Sequence, residues 1–369
     1  ADTKIIFNGT GTQKITGTTT ALIPIVIPDL VLNKTDGSDL LLEVNAFLGE
    51  TTTATDDELT LTNGVLNIGS KTLTVYSDII SRANGAINGG TGTYIIGTNH
   101  QNNKLEDIYF TINGTPTLNN LTVNAAHTTA NDLTINGTLN LNTANLTIGS
   151  GASSSAPVKL ICYGNITRNT GLINGDDDDS RLVLTGTGTV SGGLSNAYFV
   201  GTSNTTIQLE IGRAETLGGN LTIGDATSGY LRINTGINSF DISSNTLSFA
   251  DGSLVTVISG GIDADAGSVI FNNDITTIPS SLFRNNTIKN ATIVAAMTLA
   301  GDLTITGTLT GLFNITTNEN TLTFGPDAIL PSYTSAAHIV GNLRRTVTSN
   351  ATLFPIGDGT SHVPVTLQY

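Results

Sequence analysis

The residues with the clearest chemical potential in this chain are two groups of carboxylates. Four consecutive aspartates follow Ile173-Asn174-Gly175, and two more flank Ala264 in what the pattern predicts to be the equivalent turn of the next repeat. Carboxylates gathered on a turn suit calcium, which binds six to eight oxygen atoms. The predicted calcium ligands are Asp176, Asp177, Asp178, Asp179, Asp263 and Asp265. Their spacing matches neither an EF-hand nor a glycine-rich calcium repeat, so a solvated loop that favours solubility is the alternative.

The other residues that could do chemistry are widely separated. No histidine has a neighbour at the spacing of metal ligands, so each is predicted to be a strand-edge or loop residue. These histidines are His100, His127, His338 and His362. Cys162 is the single cysteine, which excludes an internal disulfide and a cysteine-based metal site. Its parity with the aliphatic residues of its segment predicts a buried strand position.

Catalytic motifs are missing from the sequence. It contains no phosphate-binding loop, no His-Glu-x-x-His, no Gly-x-Ser-x-Gly and no dinucleotide-binding glycine fingerprint. Polysaccharide lyases and hydrolases with β-helical folds need carboxylates and basic residues that converge on one outer face. Lys and Arg total only 15, and aromatic residues, which stack on sugar rings, make up 5%. We therefore predict a non-enzymatic protein with no cofactor, calcium being the one candidate ion.

Internal repeats determine how these residues are positioned. The segment LTLTNGVL at 59–66 recurs as LTINGTL at 133–139, LTIG at 221–224 and LTITGTL at 303–309. Each copy is followed by a second aliphatic strand and then, after a glycine-rich turn, by a third. The sequence therefore predicts four modules of about 80 residues and the beginning of a fifth.

Within a module the predicted strands are short and evenly spaced. Aliphatic pairs such as Leu59/Leu61, Leu66/Ile68 and Leu73/Val75 alternate with Thr or Asn, which directs the aliphatic residues inward. Asn-Gly and Gly-Ser pairs supply the bends, because these residues tolerate positive φ. Three strands and three bends make one coil of about 20 to 24 residues, so the sequence predicts an all-β, right-handed parallel β-solenoid. A sandwich of stacked hairpins is the alternative, since Asn136-Gly137 is also a hairpin signal.

The predicted domain organisation follows from the repeats. Residues 1–337 form one continuous solenoid, a rod with modules at about 1–92, 93–180, 181–267 and 268–337. Residues 338–369 begin a further module or form a C-terminal β cap or assembly segment. The chain termini at 3–7 and 363–369 are both predicted to be strands without a capping helix.

Composition and charge exclude several classes of partner. The net charge is −14, which disfavours binding to nucleic acids and to anionic membrane surfaces. No apolar run approaches the length of a membrane helix. The composition is acidic, poor in cysteine and rich in Thr and Asn, which suggests an exported, cell-surface or secreted bacterial protein. The start at Ala1-Asp2, without Met, fits a mature exported protein or an expressed fragment.

Asn-x-Ser/Thr sequons are frequent and could carry glycans in a eukaryotic or archaeal exported protein. They include Asn8, Asn33, Asn113, Asn136, Asn220 and Asn314. In a chain this rich in Asn and Thr, chance occurrence is the alternative.

The C-terminal segments HIVGNLRR at 338–345, FPIGDG at 354–359 and VPVTL at 363–367 resemble a block that recurs in large secreted surface proteins of Bacteroidetes type. Residues 7–17 and the LTINGTL repeats are similar to the β-helical stalk regions of the same proteins. The resemblance covers nearly the whole chain and implies an adhesin-like cell-surface protein exported by type IX secretion. In that family the block is normally followed by more domains, whereas this sequence stops at Tyr369.

These features predict a rigid extracellular structural protein that acts as a stalk, an adhesin or a filament subunit. Its predicted partners are other copies of itself, through end-to-end or strand-edge pairing. A module that binds polysaccharide or another surface is the competing hypothesis. Ice binding needs a continuous threonine ladder, and Thr pairs that occur about once per module do not predict one.

Overall fold

A computed structural model gives the fold of the chain. It describes residues 4–17, 24–49, 58–77, 79–98, 104–105, 110, 117–129, 131–149, 158–175, 180–200, 208–224, 229–250, 253–272, 275–334, 337–347 and 351–368. These residues form strands and bends with one short 3-10 helix, Asn196–Tyr198, and no α-helix. The chain divides into two compact units. Unit 1 comprises Ala1–Ser191 with Tyr198–Val200, and unit 2 comprises Gly192–Ala197 with Gly201–Tyr369.

The strands of unit 1, numbered in chain order, form parallel sheets. One sheet contains β1 (Lys4–Gly9), β4 (Asp29–Lys34), β7 (Glu58–Asn63) and β10 (Ile79–Arg82). A second contains β2 (Gln13–Ile15), β5 (Asp39–Leu42), β8 (Val65–Asn67) and β11 (Ala86–Asn88). The longest contains β3 (Ile25–Ile27), β6 (Ala46–Leu48), β9 (Thr72–Val75), β12 (Thr93–Ile96), β15 (Asn120–Val123), β18 (Leu139–Leu141) and β21 (Ile166–Arg168).

Two further parallel rows complete unit 1. One contains β13 (Lys104–Leu105), β16 (His127–Thr129), β19 (Leu146–Ile148) and β22 (Ile173–Gly175). The other contains β14 (Thr117–Leu118), β17 (Leu133–Ile135), β20 (Val158–Cys162) and β23 (Ser180–Leu184). Cys162 is buried in β20, as its parity predicted.

In unit 1 the chain returns to the same sheet at every third strand. Leu59 of β7 pairs with Ile80 of β10, 21 positions later, and the same step joins β8 to β11. Other returns are shorter or longer, from 18 positions between Leu121 and Leu139 to 29 between Leu30 and Leu59. The expectation of 20 to 24 residues per coil was therefore too narrow, because the bends vary in length while the strands keep register.

The parallel register stacks aliphatic residues into continuous buried columns. Leu30 pairs with Leu59 and Leu32 with Leu61, and these four side chains are almost completely buried. The alternate positions face outward, as the period of two requires. Burying one such leucine stabilises the fold by about 1.5–3 kcal/mol, so the columns make up the main stabilising core.

Unit 2 begins with three-strand coils and continues with longer strands that pass through a bend. Its first strands are β24 (Gln208–Ile211), β25 (Glu215–Thr216), β26 (Leu221–Ile223), β27 (Gly229–Asn234), β28 (Phe240–Asp241), β29 (Thr246–Phe249) and β30 (Ser253–Ser259). The later ones are β31 (Ile262–Phe271), β32 (Thr277–Ile278), β33 (Phe283–Ile293), β34 (Met297–Leu299), β35 (Leu303–Ile305), β36 (Leu309–Thr310), β37 (Ile315–Phe324) and β38 (Ile339–Arg345). The pairings β24–β27–β30 and β28–β31–β33 are parallel.

The C-terminal segment changes the direction of pairing. Strand β38 continues the parallel stack on β37, and β40 (Ile356–Gly357) pairs in parallel with β38. By contrast, β39 (Thr352–Phe354) and β41 (Val365–Leu367) pair antiparallel with each other.

The long parallel sheets contradict the alternative of a hairpin sandwich and are consistent with a parallel β-solenoid. Of the strand pairs that the structure describes, only β39–β41 is antiparallel. The module boundaries inferred from the repeats stay a prediction.

Candidate functional site

The predicted calcium ligands are only partly described. Asp176 to Asp179 lie outside the described residues, so the calcium site there stays a prediction. Asp263 and Asp265 both belong to β31 rather than to a turn between strands, which corrects that expectation, and Ala264 between them is buried. Asp265 adjoins the bend within β31, where the register shifts between Ala264 and Ser268. The turn is made just before them by Gly260 and Gly261, both at positive φ. The alternation of Asp with buried Ile262 and Ala264 directs the carboxylates outward.

Asp263 already has a cationic neighbour. A guanidinium nitrogen of Arg284 lies 3.8 Å from its Oδ2, and both side chains are partly exposed. Among the described residues, no group of three or more His, Cys, Asp or Glu side chains is arranged to hold a metal ion. Asp263 and Asp265 therefore lie on an outward-facing surface of β31, and their role as calcium ligands stays a prediction.

The structure brings two histidines together that are 24 positions apart in the sequence. The rings of His338 and His362 are nearly parallel, with centroids 5.7 Å apart. Residue 362 returns antiparallel to Gly357, which places its ring beside buried His338. No periodic pattern predicts this contact, because it depends on the C-terminal change of direction. Two imidazoles fall short of the three or four protein ligands of a typical zinc site.

The other described histidine also differs from expectation. His127 is buried within β16 rather than placed at a strand edge or in a loop. The remaining one, His100, lies outside the described residues.

Buried charged side chains in both units have hydrogen-bonding or ionic partners. In unit 1, Lys34 is fully buried and its Nζ donates a hydrogen bond to Gln13 Oε1 at 2.9 Å. In unit 2, Arg213 Nε lies 3.0 Å from Glu215 Oε2, and both side chains are at least 96% buried. Burial of unlike charges together avoids the cost of an unpaired buried ion.

A three-residue unit, Asn or Asp followed by an apolar residue and Thr, recurs at the bends. The side-chain Oδ1 of its first residue accepts a hydrogen bond from a backbone N–H one coil later, over 2.7–3.0 Å. The second residue is buried and the third continues the outward row. The first residues are Asn120, Asp132, Asn145, Asn165, Asn220, Asn290, Asp302 and Asn314.

This inter-coil unit accounts for some of the sequons. Asn at the bend, an aliphatic residue in the core and Thr on the outer face together spell Asn-x-Thr. Of the six sequons named above, Asn220 and Asn314 belong to such units, Asn8, Asn33 and Asn136 do not, and Asn113 lies outside the described residues. The motif therefore has a folding role at these two bends.

Threonines in unit 2 align more regularly than expected. Thr287, Thr304 and Thr323 occupy consecutive positions on β33, β35 and β37, and Thr277, Thr298 and Thr316 form a second row. Each of these rows is three threonines long, which is short of a continuous ladder. Both rows end at β38, where Arg344 follows Thr323 and Val340 follows Thr316.

Uncovered apolar edges are the remaining surface features. Among the described strands, β1 pairs only with β4, and its Ile5 and Ile6 are 37% and 56% exposed. Strand β41 has β39 as its one described partner, and Val365 and Leu367 are exposed. Strand β30 is the last strand of its row and exposes Leu254 and Ile258. Such edges invite pairing with another chain.

Comparison with known protein families, with curated proteins and with solved structures returns no match for this chain. Within the part that the structure describes, no helix has the length and apolar character needed to cross a membrane.

Proposed function

We propose that this chain is a non-enzymatic extracellular structural protein, a β-helical stalk, adhesin or filament subunit whose units are right-handed parallel β-solenoids. The inter-coil unit carries the proposal. Polar side chains dominate the outer faces, and those of the inter-coil unit make hydrogen bonds from one coil to the next. The polar surface thus helps to hold the stack of coils together. A stack of coils that is hydrogen-bonded along its whole length is stiff without disulfides. The acidic, cysteine-poor composition and the resemblance to secreted stalk regions support a location outside the cell.

Self-assembly through the N-terminal edge is part of this proposal. Ile5 and Phe7 continue the columns of Leu30 and Leu32, yet Ile5 is exposed while Leu30 is only 1% exposed. A further strand on this edge would complete the columns. The proposed donor is β41 of a second copy, because its apolar residues alternate in the same way and one of its edges is unpaired.

Electron microscopy and sedimentation over a range of concentrations test this assembly. We expect the wild type to form end-to-end multimers as the concentration rises. Ile6→Lys places a charge on the open edge and should shift the population to monomers. Thr122→Lys, an outward substitution on the covered strand β15, is the matched control and should assemble like the wild type. Wild-type protein that stays monomeric at high concentration would contradict the assembly.

A polysaccharide- or surface-binding module is the second candidate, favoured by one aromatic pair. Phe47 and Tyr76 face outward from unit 1 with ring centroids 5.6 Å apart, beside exposed Val26. Outward aromatic rings can stack on sugar rings. A glycan array decides between the candidates: a specific hit that is lost in Tyr76→Ala favours the binding module, whereas the structural role predicts no specific hit.

A further inference from the structure

Strand β30 in unit 2 is an edge strand in the interior of the sequence. It pairs in parallel with β27 from Ser253 to Ser259, with a register shift at Ile258, which has no partner on β27. The next pass of the chain, 275–281, contains Pro279, which has no N–H to donate to a ladder. Among the described residues, no backbone hydrogen bond or bridge joins that pass to 254–258. One edge of β30 therefore has no partner among the strands that the structure describes.

The exposure of β30 agrees with an uncovered edge. Leu254 and Ile258 on its outer face are 67% and 52% exposed. Its inward residues Val255 and Val257 are in register with Leu231 and Ile233 of β27, which are fully buried. The two valines are only half-buried. Both the outward and the inward side chains of β30 are therefore incompletely buried.

The composition of β30 favours pairing with a further strand. Its seven residues, SLVTVIS, are uncharged, contain no proline or glycine and are mostly β-branched. Natural edge strands usually avoid unwanted pairing through charge, proline or a bulge within the exposed stretch. Strand β30 has one such device, the register shift at Ile258, while its stretch from Ser253 to Val257 stays in regular register with β27. Arg232, which is in register with Thr256, is paired with Glu210 at 3.7 Å.

The order of residues in β30 identifies the kind of partner. Read from either end, the strand has the same chemistry about Thr256: serine, then leucine or isoleucine, then valine. An antiparallel copy centred on Thr256 would place Leu254 opposite the partner's Ile258 and Val255 opposite the partner's Val257. Thr256 would face its own counterpart. A two-fold interface requires such self-complementarity, because the same surface serves both subunits.

We propose that β30 pairs antiparallel with β30 of a second copy, about a two-fold axis through Thr256. Cross-strand apolar and Thr–Thr pairs stabilise such a ladder. This pairing uses a different surface from the proposed end-to-end contact at β1. It rests on the proposed function only because it also takes a second copy of the chain as the partner. One strand pair buries less than the roughly 1,200 Å² of a standard interface, so we expect a dissociation constant in the micromolar range or weaker.

Cysteine cross-linking tests the two-fold register. Thr256→Cys should form a covalent dimer under mild oxidation, because directly opposite residues have Cβ atoms about 4.5–5.5 Å apart. Leu254→Cys alone should not, yet mixed with Ile258→Cys it should. Thr298→Cys, outward on the paired strand β34, is the control, and native Cys162 is buried. Cross-linking of Thr256→Cys no faster than of Thr298→Cys would overturn the proposal.

Charge complementation provides an independent readout by sedimentation equilibrium. Thr256→Lys and Thr256→Glu should each weaken dimerisation at least tenfold, since each variant opposes like charges across the axis. An equimolar mixture of the two should restore it. Failure of the mixture to dimerise, or a wild type that stays monomeric at high concentration, would overturn the proposal. Ile6→Lys should leave the Thr256→Cys cross-link unchanged, so failure of the end-to-end assembly is distinguishable from failure of this pairing.

Discussion

At the scale of single residues, amide and carboxylate oxygens at the bends are a recurrent side-chain link between coils. Asn145 Oδ1 accepts a hydrogen bond from the N–H of Leu172 at 3.0 Å in a partly buried position. Asp132 and Asp302 make the equivalent bond with a carboxylate oxygen. These bends therefore share a requirement for an oxygen acceptor, which either an amide or a carboxylate can supply.

Replacement of this acceptor should therefore destabilise the fold in a predictable order. Asn145→Ala leaves a partly buried N–H without a partner and should cost about 1–3 kcal/mol. Asn145→Asp keeps an oxygen acceptor and should cost clearly less. Urea unfolding followed by circular dichroism measures both values. Equal losses for the two variants would show that the oxygen is not the stabilising group.

A second residue-scale prediction concerns acid. Asp36 accepts hydrogen bonds from the N–H groups of Gly11, one coil earlier, and Ser38, and these bonds lower its pKa to about 2. A lowered folded-state pKa means that the stabilisation is complete above the unfolded value of about 3.9 and is lost as the pH falls towards 2. Wild-type stability should thus decline more between pH 4 and 2 than that of Asp36→Asn.

Calcium binding belongs to the same scale. Titration calorimetry of the wild type should show binding at millimolar concentrations or below if Asp176 to Asp179 act as ligands, because carboxylate oxygens are the preferred ligands of calcium. Replacement of all four by Asn should abolish the signal, while Asp263→Asn with Asp265→Asn should retain it. No heat from the wild type would leave the solvated loop as the role of this segment.

At the scale of elements, some glycines are needed because successive bends approach each other closely, and not because they adopt a positive φ. Gly137, Gly164 and Gly188 lie at the same bend of consecutive coils, and none has a positive φ. A Cβ atom on Gly164 would overlap the carbonyl oxygen of Gly137. The expected role of Asn136-Gly137 as a positive-φ bend is therefore wrong, and the glycine is needed for space.

Gly164→Ala should accordingly destabilise the protein by several kcal/mol, because the backbone of the neighbouring coil has to move. Gly236→Ala is the matched control: its φ is +67° with no atom within 4 Å of the added Cβ, so only backbone strain of about 1–2 kcal/mol applies. Thermal or urea unfolding of the two variants gives the comparison. A smaller loss for Gly164→Ala than for Gly236→Ala would contradict the close-approach explanation.

The strands themselves were predictable from the sequence, whereas their exceptions were not. Alternation placed Leu59/Leu61, Leu66/Ile68 and Leu73/Val75 in the core, and all six are buried. The same alternation at 262–265 was misread as a turn, because Asp and Gly suggested a loop. The contact between His338 and His362 depends on a chain reversal at 357–362, which carries no periodic signal. The local alternation of residues thus predicts the strands, whereas the places where the chain bends or reverses depend on tertiary contacts.

At the scale of the whole molecule, stability should vary along each stack of coils. Each coil contacts mainly its neighbours, so a terminal coil has one stabilising interface and an internal coil has two. In unit 1, β1 lies at a sheet end with exposed apolar residues, whereas β15 lies between β12 and β18 and buries Leu121 and Val123. Local opening should therefore require less free energy at β1 than at β15.

Hydrogen exchange at two protein concentrations tests this gradient together with the proposed assembly. In dilute solution the amides of β1 should exchange at least about tenfold faster than those of β15, a difference of roughly 1.4 kcal/mol in opening free energy. If copies pair through this edge, a higher concentration should slow exchange at β1 and leave β15 unchanged, because only the edge gains a partner. Ile6→Lys should retain the gradient but lose its dependence on concentration. Uniform protection in dilute solution would contradict the gradient, whereas a gradient that ignores concentration would refute only the end-to-end contact.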